Sequence, residues 1–274
     1  MAFAGAATVY GVRGNIYNRT IFKYANGVYT TVYKLDRYYS SPTYGFDYFT
    51  FSARVVADSK GNVYFGYNRD YGLNDWGNNP NPDFAGIMKI TPDGIVTTYA
   101  GNFGPTGLGH QDGNVASAKF YSINDLAIDQ NDNIYLADHI YVRKITPAGI
   151  VSTIAETGKT YSLAADKLGN VYVGGQYIDT ATNSYKEGIN KISPSGAKTV
   201  LTNVAYVESQ QPLITDKYNN LWVGTGNNLK VYNPSGTSLG NYAIPTYCYS
   251  TTFDKSGNTY FIRGSAINQY LIEY

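Results

Sequence analysis

Few side chains in this protein are equipped for chemistry, and their spacing limits what that chemistry can be. There are two histidines, His110 and His139, one cysteine, Cys248, and four glutamates, Glu156, Glu187, Glu208 and Glu273. Two histidines fall short of a three- or four-ligand zinc set unless carboxylates complete it, and no spacing here supplies them. Aspartates follow a pattern instead: Asp58, Asp129, Asp166, Asp216 and Asp254 each stand four residues before an Asn that opens a short apolar run. Carboxylates at equivalent places in separate copies lie apart, so each is expected to cap backbone N–H groups of its own turn rather than share an ion. Asp129-Gln130-Asn131-Asp132-Asn133 has the outline of a calcium loop but lacks the Gly at position six and the distal Glu. Gly101 to Gly109 has no Lys-Ser/Thr ending and no following helix, so it is not a phosphate loop. No catalytic residue, metal set or cofactor is expected, and both histidines read as structural or solvent-facing rather than catalytic. Cys248 has no partner for an intrachain disulfide, and its apolar strand context makes it a small core residue.

The elements that carry these residues are repeats. The Asp turn recurs as Asp58-Ser59-Lys60-Gly61-Asn62, and a degraded copy is expected at Gly14-Asn15-Ile16-Tyr17, with Gly11 in the Asp place. A second signature trails each copy, as in Lys89-Ile90-Thr91-Pro92-Asp93-Gly94, Lys144 to Gly149, Lys191 to Gly196 and Val231 to Gly236; Asn26-Gly27 replaces it in the first. Each copy reads as four strands: one ending at the Asp, one after Gly-Asn, one ending at the Pro-Gly turn and one beyond it. No stretch keeps a 3.6-residue apolar period, so almost no helix is expected. Second strands such as Val63-Tyr64-Phe65 and Val171-Tyr172-Val173 are apolar on both faces, which suits sheets stacked around an axis.

The stretch from Ala100 to Gly158 resembles an NHL repeat through His110-Gln111-Asp112-Gly113, Ala118-Lys119-Phe120, Leu126-Ala127-Ile128-Asp129, Asn133 to Asp138, Val142 to Pro147 and Gly149-Ile150-Val151. The resemblance implies an all-β fold: a six-bladed β-propeller of four-stranded antiparallel blades. It implies one domain, 1–274, with blades near 6–35, 54–100, 123–157, 162–203, 212–243 and 249–274. Ile267-Asn268-Gln269-Tyr270 aligns with Ile189-Asn190-Lys191-Ile192, so the last copy ends at its third strand. The N-terminal segment, Ala2 to Gly5, is expected to pair with Ala266 to Ile272 and close the ring, since an open edge invites association. The family is mostly a binding scaffold with a few enzymes. Its lyases need a His/Glu cluster and its lactonases hold calcium on the axis with Glu, Asn and Asp; no motif here matches either set.

Net charge is +1 with 15% charged residues, so no field of either sign steers nucleic acid. No apolar span is long enough for a membrane helix, and the Met1 to Gly5 start lacks the features of a secretory signal. Asn18-Arg19-Thr20 fits a glycosylation sequon. The chain holds 29 tyrosines, with abundant Asn, Gly and Thr. That balance resembles virion, extracellular or cell-surface β-proteins, with a cytoplasmic location as the alternative.

The long insertions all fall at the end of the copies opposite the Asp and Pro-Gly turns: Tyr33 to Arg54, Tyr67 to Ala85, Gly101 to Ile123 and Gln176 to Gly188. Loops on a rigid scaffold carry function. The expected binding residues are therefore Tyr38, Tyr39, Tyr44, Arg69, Tyr71, Trp76, Phe103, His110, Tyr177 and Tyr185. The function expected from these features is a non-enzymatic recognition or assembly module binding a protein or glycan, as a virion or cell-surface component of a larger assembly. The alternative is a propeller enzyme, a lactonase-like hydrolase or lyase with an axial divalent metal.

Overall fold

A computed structural model describes residues 9–14, 18–25, 28–36, 38–41, 45–69, 84–101, 107–179, 181–201, 204, 213–225, 228–243, 250–253, 259–263 and 266–270. These residues are all strand, turn or irregular backbone, without helix. They form six antiparallel sheets in chain order. Sheet one holds β1 (Val9–Gly14), β2 (Asn18–Ala25) and β3 (Val28–Asp36). Sheet two holds β4 (Tyr38–Ser41), β5 (Gly45–Ala57), β6 (Val63–Arg69), β7 (Phe84–Ile90) and β8 (Val96–Ala100). In sheet three, β9 (Gly113–Asn114) pairs outside a ladder of β10 (Ile123–Ile128), β11 (Ile134–Asp138), β12 (Tyr141–Ile145) and β13 (Ile150–Glu156). Sheet four is β14 (Thr160–Ala165), β15 (Val171–Asp179), β16 (Ser184–Ile192) and β17 (Lys198–Val200). Sheet five is β18 (Leu213–Thr215), β19 (Leu221–Thr225), β20 (Asn228–Tyr232) and β21 (Ser238–Ala243). Sheet six is β22 (Ser250–Phe253), β23 (Thr259–Arg263) and β24 (Ala266–Tyr270).

The Asp turn is built alike in four sheets. Asp129 Oδ1 accepts from the N–H of Asn131 and of Asn133, each at 2.9 Å, while Oδ2 accepts from Asn133 Nδ2 at 2.8 Å and the Tyr135 hydroxyl at 3.1 Å. Asp58 and Asp166 repeat this with Tyr64 and Tyr172, and Asp216 with the indole N–H of Trp222. Asp254 lies outside the described residues. The fourth turn position is left-handed, with φ of 82° at Gly61, which has no Cβ to clash there. Burial works against the Asp58 charge, yet bonds from Asn62, Tyr64 and Lys60 outweigh it and hold the carboxyl below its ordinary range.

Sheet one departs from the repeat. Val9–Gly14 runs straight through Gly11 and pairs with β2 from Val9↔Tyr24 to Gly14↔Arg19. The expected Asp-type turn does not form at Gly11: residues 11–14 continue the strand, and Gly11 offers no carboxylate to cap a reversal there. The insertions also differ from loops. Gln176 to Gly188 is a continuous hairpin, paired from Val171↔Ile192 to Asp179↔Ser184, and Tyr33 to Arg54 is largely strand in β3, β4 and β5.

Hydrophobic side chains meet between sheets. Tyr64, Ile134 and Leu136 share one cluster between sheets two and three. Tyr135, Ala137, Val171 and Val173 share the next, and Tyr172, Leu221 and Val223 the one after. The second strands thus send alternate residues to the seams on either side, as period-two geometry requires. β10 touches both β5 and β14, and β14 touches β18, so the first strands of sheets two to five lie side by side.

Burial, reinforced by the turn aspartates, pushes the phenols of Tyr64, Tyr135 and Tyr172 well above the ordinary tyrosine range. Folded-state values above the unfolded value mean that this stability is intact below pH of about 10 and is lost above it. Denaturant titrations should show stability level through neutral pH and falling in alkali. Tyr135→Phe should lose some stability at neutral pH, through its bond to Asp129, yet show a shallower alkaline decline. An unchanged alkaline slope in that variant would refute the assignment.

Candidate functional site

Arg54, Asp125 and Ser162 each stand four residues before the turn Asp of their sheet, in β5, β10 and β14. That places them about 13 Å of strand away from the Asp turns, toward the end where the insertions emerge. Here the first strands converge. Arg54 Nε donates to Asp125 Oδ1 at 3.1 Å, and its Nη2 donates to Asp125 Oδ2 and to the carbonyl of Leu163. Nη1 donates to the carbonyl of Leu213 at 2.6 Å. Asp125 Oδ2 also accepts from the Leu163 N–H at 2.9 Å. One guanidinium in sheet two therefore contacts the first strands of sheets three, four and five. Consecutive sheets can share one side chain only if their edges curve around a common line. The Asp125 side chain is 1% exposed and that of Arg54 17%, so the carboxylate is sealed while the arginine is partly exposed. The Ser162 hydroxyl, at the equivalent register in sheet four, is buried with no hydrogen-bond partner among the described residues.

A second buried arginine pins the segment before β10. Arg143 is fully buried and donates to Asp138 at 2.9 Å, Asp112 at 2.7 Å and the carbonyls of Lys119 and Gln111. Its guanidinium lies over the Phe120 ring. Asp138 also accepts from the N–H groups of Tyr121 and Ser122; burial nonetheless raises its pKa above the ordinary value. The clasp sets His110, whose Nε2 lies 2.6 Å from Thr153 Oγ1. The Thr153 hydroxyl donates its proton to Asp112 Oδ1 at 3.0 Å, so His110 is the donor in the pair and Thr153 is not an activated nucleophile. The His110 ring stacks on Tyr141 at 3.9 Å between centroids, and Tyr121 and His139 extend the aromatic surface.

Of the residues expected to bind, His110 is exposed in this cluster. Tyr177 and Tyr185 are on the β15–β16 hairpin of another sheet, Tyr177 against Gly188 and Tyr185 exposed. Tyr38 and Tyr39 fall in β4 and Arg69 in β6, with side chains outside the described set. Tyr44, Tyr71, Trp76 and Phe103 lie outside the described residues. The Arg54–Asp125 pair was not among the expected site residues. The signal was the recurring offset of four residues before each turn Asp, where two opposite charges occupy otherwise apolar strands. Among the described residues no three His, Cys, Asp or Glu side chains gather as a metal site.

No protein-family model matches the sequence, and no curated protein sequence matches it. The fold resembles solved structures. A gluconolactonase from Xanthomonas campestris superposes with a TM-score of 0.59 at 15% identity, covering 90% of this chain and 77% of that one. A putative gluconolactonase gives 0.53 at 15% identity, covering 97% and 93%. A virginiamycin B lyase from Staphylococcus aureus gives 0.47 at 14%, covering 98% and 86%, too low to carry an argument. The fold is a β-propeller. The expected non-enzymatic recognition or virion module is corrected by the two neighbours above a TM-score of 0.5, which are named as a gluconolactonase and a putative gluconolactonase.

Arg143→Ala leaves Asp138 buried without its counter-charge, and should cost about 3–5 kcal/mol. Asp112→Asn, at a side chain 47% exposed, should cost far less. Equal losses in denaturant melts would show that Arg143 acts through packing alone.

Proposed function

We propose that this protein is a β-propeller hydrolase that opens a cyclic ester at the insertion-bearing end of its axis. The observation that carries the reading is the Arg54–Asp125 centre, where a buried carboxylate holds a partly exposed arginine among converging first strands. Its likeness in fold to two gluconolactonase structures supports the same reading. In lactone hydrolysis the oxygen of water bonds to the acyl carbon and the ring C–O bond breaks. The proton passes to the departing alkoxide, giving a hydroxy acid. Negative charge gathers on the carbonyl oxygen as water adds, and a fixed cation in a low-dielectric site stabilises it. Arg54 would supply that charge. Asp125 is a positioning residue: it fixes the guanidinium plane through two oxygens, so little reorganisation is needed when the oxyanion forms.

The same reading takes the six sheets as six blades of one NHL-like domain, closed by pairing of Ala2 to Gly5, which lie outside the described residues, with Ala266 to Ile272. Deleting residues 1–5 should lower the melting temperature and promote association. A truncated protein that melts like the intact one would mean another closure.

Hydrolysis is tested by acid release from gluconolactone and a panel of smaller lactones. Arg54→Lys keeps a charge but loses the planar fork, and should reduce kcat on the order of 10²-fold while the melting temperature is followed in parallel. No opening of any lactone above the buffer rate, or full activity in a folded Arg54→Lys, would overturn the proposal.

A further inference from the structure

The lactonase resemblance implies a divalent metal on the axis, and the described residues at this axis do not fit one. A hard cation such as calcium takes six to eight oxygens, with carboxylates carrying most of the compensating charge. Oxygens do converge at the centre: two from Asp125 and the carbonyls of Leu163 and Leu213. All four face the Arg54 guanidinium. A doubly charged ion beside a fixed, partly buried positive charge would be repelled strongly in so low a dielectric, and the one carboxylate among the described residues of the centre is already engaged on both oxygens.

The strand edges explain why a cation is needed here at all. Leu163 is paired with Val173 in the β14–β15 ladder, yet both its N–H and its C=O point away from β15, toward the centre. Bringing first strands of several sheets side by side turns such groups inward, where each needs a partner. Asp125 accepts the donor and Arg54 serves the acceptors, so the two side chains satisfy an edge that no neighbouring strand completes. We infer that Arg54 is the resident cation of the axis, a tethered charge in the place where a metal would otherwise stand, and that the protein folds and works without a divalent ion. The inference stands on the geometry of the centre and does not depend on the lactone reading.

The test compares wild type, Arg54→Ala, Arg54→Lys and the double variant Arg54→Ala/Asp125→Asn. Melting temperatures are measured in EDTA and in millimolar calcium, magnesium, manganese or zinc chloride, with metal content by mass spectrometry. Wild type should carry no stoichiometric divalent ion and melt alike in every condition. Arg54→Ala should melt roughly 10 °C lower and recover part of that loss with at least one of the four salts, because its vacated oxygens can now take an ion. The double variant should not recover, and Arg54→Lys, still cationic, should stay indifferent to the salts. The inference is overturned by a stoichiometric divalent ion in wild type whose removal lowers its melting temperature. It is equally overturned by Arg54→Ala melting with wild type, or by a folded Arg54→Ala that answers to none of the salts. Should Arg54→Ala fail to fold, the wild-type and Arg54→Lys arms still decide, since divalent dependence in either would sink the idea. All readouts are stability and metal content, so a failed lactone assay leaves this result separate.

Discussion

A sheet that is apolar on both faces has to be covered on both, and that requirement organises this molecule. β11 is buried at every position, with Ile134 and Leu136 directed to one seam and Tyr135 and Ala137 to the other. Among the described residues, four of the five apolar clusters draw on two neighbouring sheets, and the fifth, around Trp222, lies within sheet five. Stability of one sheet is then conditional on its neighbours, as in other repeat architectures. Stacking alone would leave the outer faces of a row of sheets exposed, whereas sheets arranged around a line cover one another. The first strands, brought side by side, are the geometric consequence.

The Asp turn holds each sheet in the register that this sharing needs. Four bonds to one carboxylate fix both the reversal and the Tyr or Trp two residues into the next strand, and the aromatics Tyr64, Tyr135 and Tyr172 are themselves seam residues. The left-handed fourth position adds a further link where it is not glycine. Asp132, at φ 61°, accepts from the N–H and hydroxyl of Ser59 in the preceding sheet, and Asn219, at φ 66°, accepts from the N–H of Lys167. Gly169 has no such side chain, and there Gln130 reaches the Lys167 carbonyl instead. Backbone strain of order 1 kcal/mol at a non-glycine residue is offset by a bond that ties two sheets.

These turns were legible in the sequence because every partner lies within six residues of its Asp. The two-faced apolar strands were legible for the same local reason. Gly14-Asn15 misled because the dipeptide marks a reversal but not which reversal of the repeat it is; pairing of Val9 with Tyr24 decides that. The insertions read as loops since Tyr, Asn and Gly dominate them, yet Val171–Asp179 and Ser184–Ile192 simply prolong a hairpin already in register. The Arg54 centre was hidden by distance: its partners are 71, 109 and 159 residues away. Only alignment of the copies on their Asp turns brings Arg54, Asp125 and Ser162 into one column.

That column is where architecture and chemistry meet. Turning strand edges toward an axis creates inward donors and acceptors, and a buried ion pair can satisfy them only if every lone pair and proton finds a partner. Asp125 meets this condition through Arg54 and Leu163, and Arg54 places four N–H bonds on Asp125, Leu163 and Leu213. A group held so firmly is preorganised, and preorganised charge is what stabilises a developing oxyanion at little reorganisation cost. On the proposed reading, the cation that satisfies the strand edges is the same one that meets the substrate, so one side chain serves both the fold and the reaction.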